Sequence, residues 1–170
     1  MQIIDYNGTG RWSQAAVLER YAAYARQMQV MPLRDLRVEP LVQGERSWIY
    51  PVMHNVIAGI EAGDRACIEI GVECIVENQW LRFGRTIKSS TARSLRRSEL
   101  TPEQANRLRC QILQMLLDEH IPGHYRDYAR LVRKIGLADW WPRLESGVNR
   151  DNPHVMRFFD YFETYLRPTE

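Results

Sequence analysis

The side chains with the plainest chemical potential form a basic run. Arg82, Arg85, Lys88, Arg93, Arg96 and Arg97 follow one another between residues 82 and 97 with no acidic residue among them. On a helix, Arg82, Arg85, Ser89, Arg93 and Arg96 share one face. Guanidinium forks and a hydroxyl on one face suit phosphate or carboxylate oxygens. Nucleic acid, an anionic small ligand and an acidic protein partner all fit that chemistry. A solvated face, or one paired with carboxylates of the preceding helix, is the plain structural alternative. The run itself lacks the interleaved aromatic residues of single-strand binders.

Three further groups carry less. Glu69, Glu73 and Glu77 recur every four residues, but carboxylate metal sites in helical bundles also recruit Glu-x-x-His pairs, and none occurs here. The stripe reads as the polar edge of an otherwise apolar helix. His120 and His124 have the spacing of two ligands on one helical turn, yet Pro122-Gly123 between them breaks the helix. No Gly-x-Ser-x-Gly, P-loop or dinucleotide glycine fingerprint is present. The expectation is therefore no catalytic residue, no metal and no cofactor. An enzyme with an unmotifed pocket, such as His54 beside Glu69, Glu73 or Glu77, stands as a third reading.

Aromatic residues mark the C-terminus. Phe158, Phe159, Phe162, Tyr165 and Leu166 fall on one side of a last helix, opened by Asn152-Pro153. Phe158 and Phe162 either dock on the domain's own core or face a protein partner or a second copy of the chain. Of the adjacent pair Trp140-Trp141, one ring is expected in the core and the other at a boundary, because neighbouring helical residues point about 100° apart.

The elements that must position these groups are helical. Ser13 caps a helix carrying Val17, Tyr21, Ala25 and Met28. Pro51 opens another with Val56 and Ile60. Gly63-Asp64 is a stop and restart, leading into residues 64–77, whose narrow polar stripe marks the central helix. Residues 83–97 form the basic helix, and Thr101-Pro102-Glu103-Gln104 is a capping-box start. Helices around Leu131 and Trp141 follow. Residues 1–12 read as an irregular lead-in with room for a short strand at Ile3-Ile4, and 32–46 as an irregular connection.

The predicted fold is all-α, a single helical domain over 1–170 with seven to eight short helices joined as antiparallel hairpins. It would form an irregular bundle or a short HEAT-like α-superhelix. Composition agrees: 45% hydrophobic and 26% charged residues describe a chain with enough apolar surface for a core. A net charge of +2 gives no global pull toward nucleic acid or an anionic membrane. Only Lys88 and Lys134 are lysines, so 23 − 2 = 21 basic residues are arginine. Three cysteines, Cys67, Cys74 and Cys110, without a CxxC pair, fit free thiols in a reducing compartment. With no membrane-length apolar run, a cytoplasmic location is expected. The leading functional expectation is a non-enzymatic interaction module that binds a protein partner or itself. Nucleic-acid or phosphate-ligand binding through residues 82–97 is the alternative.

Overall fold

Asp64 organises the first half of the chain. In the computed structural model, which describes residues 2–169, its carboxylate accepts from the backbone N–H of Ala66 and Cys67 at 2.9 and 3.0 Å, capping helix α3 (Arg65–Glu77). Gly63 just before it holds φ +80°, the left-handed turn that ends α2 (Met53–Glu61). The Gly63-Asp64 stop and restart thus folds as its residue types demand.

The chain divides into two units, residues up to Glu99 and residues from Leu100. In the first, α3 packs against α2, against α1 (Gln14–Gln27) and against α4 (Gly84–Arg96). Nine of its thirteen residues are buried, Glu73 included, as expected of a central helix. The α2–α3 approach depends on two glycines. A Cβ on Gly59 would lie 2.3 Å from Cys67 Sγ, and one on Gly71 would lie 2.5 Å from Ile60 Cδ1.

A small sheet accompanies these helices. β1 (Gln2–Asp5) runs parallel to β3 (Arg46–Ile49), and β2 (Leu41–Gln43) pairs antiparallel on its other side. The short strand around Ile3-Ile4 therefore exists, whereas residues 41–46, expected to be irregular, contribute β2 and the start of a hairpin. Gly44 at φ +60° makes its two-residue turn. With strands of only three or four residues the alternation of faces has no room to register. At the coarse level the fold remains mostly helical, as the sequence predicts.

The second unit contains α5 (Pro102–Leu117), α6 (Tyr125–Ile135), α7 (Trp141–Gly147) and α8 (Pro153–Leu166). The Thr101–Gln104 capping box forms with both of its hydrogen bonds, and Gly136 at φ +80° closes α6. Tyr125, Tyr128 and Phe162 are fully enclosed, with the Tyr125 ring edge-on to Phe158 at 4.8 Å. Trp141 is buried on Phe159, while Trp140 lies at the boundary under Arg143. No helix among the described residues is long and apolar enough to cross a membrane.

Candidate binding surface

The carboxylate stripe of α3 is neutralised from the N-terminal side. Glu73 receives Arg20 Nη1 and the Tyr24 hydroxyl, with Arg11 Nη2 at 3.5 Å. Glu77 accepts from Arg11 Nε and Nη2 at 3.1 and 2.8 Å and from Trp12 Nε1 at 2.9 Å. Hydrogen bonding to Glu77 raises the Arg11 guanidinium above its ordinary pKa, and burial with donation to Glu73 raises Tyr24. These two glutamates are thus structural. Pairing with the arginines of α4, the plain explanation for that basic run, is not where they go.

The six basic residues of the run separate into three situations. Lys88 faces inward: it is buried, its Nζ donates to Asn78 Oδ1 at 2.9 Å, and burial lowers its pKa. It belongs to the interior and not to a binding face, because position 88 lies beside the buried Ile87 and one turn from Ala92 and Thr91. Arg93, Arg96 and Arg97 sit at the C-terminal end of α4, where the helix dipole favours cations. Arg93 Nη2 also donates to Ser90 Oγ at 3.1 Å.

Arg82 and Arg85 occupy the opposite end. Both are exposed at the N-terminal end of α4, where the dipole disfavours positive charge. The cap residue is Phe83, whose side chain makes no capping hydrogen bond. Its backbone is left-handed at φ +57°, a conformation costly for a bulky residue.

Aromatic residues that are distant in sequence surround this end. The Tyr6 ring lies 5.4 Å from Phe83 and stacks on Tyr50 at 6.0 Å. The Arg82 guanidinium sits 5.7 Å from the centre of Tyr6. Phe83 is 54% exposed, Tyr50 47%, and Trp80, three residues upstream of Phe83, is 80% exposed. Phe83, the one ring within the run, is joined by rings from the segment after β1 and from the end of β3. Nothing in the spacing of Tyr6, Tyr50 and Phe83 could have announced this. The one local signal was Trp80 beside Leu81-Arg82-Phe83, an apolar cluster in a polar connection.

Phe158 and Phe162 lie elsewhere, in the second unit. Phe162 is fully buried and Phe158 is 9% exposed, so the aromatic side of α8 packs on its own unit rather than standing free for a partner. Their rings meet Tyr125 and Tyr161. His54 is exposed on α2, apart from the buried carboxylate network of Glu73. Among the described residues no group of three or more His, Cys, Asp or Glu is placed to hold a metal ion. Comparison of the chain with protein-family models, with curated proteins and with solved structures finds no match.

Proposed function

We propose that this chain is a non-enzymatic interaction module that binds a protein partner through the arginine–aromatic patch at the start of α4. One observation carries the reading: exposed Trp80 and Phe83 beside Arg82 and Arg85, with Phe83 held in a left-handed backbone. Trp, Tyr and Arg dominate the energetics of protein interfaces. Strained backbone at an exposed aromatic residue is a common mark of a functional surface. A partner surface presenting an apolar pocket rimmed by carboxylates complements both halves of the patch.

The test is photocrosslinking from position 80 in cells, in the parent and in Phe83→Ala and Arg82→Ala/Arg85→Ala backgrounds. A defined adduct that disappears in both backgrounds, while circular dichroism stays unchanged, supports the reading. An adduct indifferent to both sets of changes refutes it. A second reading, binding of single-stranded nucleic acid or a phosphate ligand, draws on the same rings as stacking surfaces. It predicts binding of a fluorescent oligonucleotide that weakens steeply with salt and on neutralising Arg82 and Arg85. No anisotropy change at low salt removes it.

A further inference from the structure

The second unit carries a cavity of its own. Between α6 and α8 lies a groove of about 210 Å³ lined by Arg126, Ala129, Arg130, Arg157, Phe158 and Tyr161. The helical spacing explains it. Arg126 and Arg130 are one turn apart on α6, as are Arg157 and Tyr161 on α8, so each helix presents a cation-bearing edge to the same trough. Ala129 keeps the floor low, and Phe158 and Tyr161 make it aromatic.

The charge in this groove is one-sided. Three of six lining residues are arginine and none is acidic, and all three arginines are exposed. Arg130 Nη1 forms an ion pair with Asp127 Oδ1 at 3.8 Å that occupies one edge of its fork. The Arg157 guanidinium lies 5.7 Å from the Phe158 ring centre. The forks therefore retain donors for an incoming anion.

We infer that this groove is a docking site for an acidic peptide segment of a partner protein. Carboxylates of the segment pair with Arg126, Arg130 and Arg157, and an apolar or aromatic side chain between them lies against the half-buried Tyr161. Size selects the occupant. The volume is below the roughly 300–1,000 Å³ of typical small-molecule sites and suits one anchoring side chain. Arginine clusters recognise acidic motifs in this way, through bidentate charge-assisted hydrogen bonds. Phe158 is too deeply buried to offer a face on which successive nucleotide bases stack. This groove belongs to the second unit and shares no residue with the patch at the start of α4, so its test uses different residues.

The experiment is fluorescence anisotropy on the full chain, with a fluorescein-labelled hexapeptide carrying glutamates on both sides of one phenylalanine. Binding at low salt is expected to weaken about tenfold in each of Arg126→Ala and Arg157→Ala, the loss of one charged hydrogen-bonding partner. It should weaken again when the glutamates are glutamines or the phenylalanine is glycine. Arg82→Ala/Arg85→Ala, which tests the other patch, should leave this affinity unchanged. Because the groove arginines are exposed, the fold is expected to survive, and circular dichroism checks it. No binding by the parent chain, equal binding by Arg126→Ala and Arg157→Ala, or tighter displacement by a single-stranded oligonucleotide would overturn the inference.

Discussion

Phe83 offers a measurement in which stability and function should part. A left-handed backbone costs a non-glycine residue about 1–2 kcal/mol, and Phe83 adopts it at φ +57°. Phe83→Ala and Phe83→Gly both remove the ring and its contact with Tyr6, so that loss cancels between them. Only glycine relieves the backbone. Against this relief stands the extra entropy glycine loses on folding, about 0.5–1 kcal/mol. The difference leaves Phe83→Gly more stable than Phe83→Ala by about 0.5–1 kcal/mol. At Arg93, exposed within the same helix, the order should reverse, with alanine better by about 1 kcal/mol. Urea unfolding followed by far-ultraviolet circular dichroism resolves this as a midpoint shift of about 0.3–0.5 M at ordinary slopes. Both Phe83 variants should still lose the crosslinked adduct. Alanine equal to or better than glycine at position 83 would refute the claim that Phe83 is held against its backbone preference.

Other outcomes follow from the interior. Gly59→Ala should destabilise by about 2 kcal/mol in urea unfolding, because overpacking against Cys67 costs about 3 and the gain in helix propensity returns about 1. Thr91→Val should stabilise by about 1 kcal/mol, since the Thr91 hydroxyl is buried with no hydrogen-bond partner. A thiol reagent should modify Cys110 quickly and reach buried Cys67 and Cys74 only on unfolding. At alkaline pH the fold should weaken. Burial pushes the Cys74 thiol, and burial with donation to Asp64 pushes the Tyr21 hydroxyl, up to about 12. Raised acid pKa values mean stability that is complete below the unfolded pKa near 9–10 and declines as pH rises toward 12. A flat stability profile between pH 9 and 12 would contradict it.

How much of this was legible beforehand depended on range. Caps and stops are local, so Ser13, Asp64, Thr101 and Gly136 declared their helices through side-chain and backbone chemistry within a few residues. The central role of residues 64–77 was also legible, since a stripe of one polar residue per turn leaves most of a helix to be covered. The hairpin at 41–49 was hidden because strands of three and four residues are too short for alternation to register. Lys88 misled for a related reason. Its charge marked it as surface, but its position beside Ile87 and one turn from Ala92 placed it inside, where Asn78, itself left-handed at φ +48°, supplies an acceptor. Phe158 and Phe162 obeyed the rule that large aromatic residues on one helical face usually enclose a core.

The least legible step was the fate of the carboxylates. Charge arithmetic let Glu73 and Glu77 balance the arginines of α4, which would have made that basic run inert. Instead a 3-10 turn at Gly10–Trp12 and the first turns of α1 deliver Arg11, Trp12 and Arg20 to them. A buried carboxylate must be paired and hydrogen-bonded, and the arginine partners came from more than fifty residues upstream. Once those partners are taken, the near-neutral net charge of the chain conceals a local imbalance. Arg82 and Arg85 stand at a helix N-terminus beside exposed rings, where neither the dipole nor Glu73 and Glu77 compensate them. The proposed partner surface, anionic and partly apolar, would supply both compensations at once, whereas the arginines at the helix C-terminus already have the dipole in their favour.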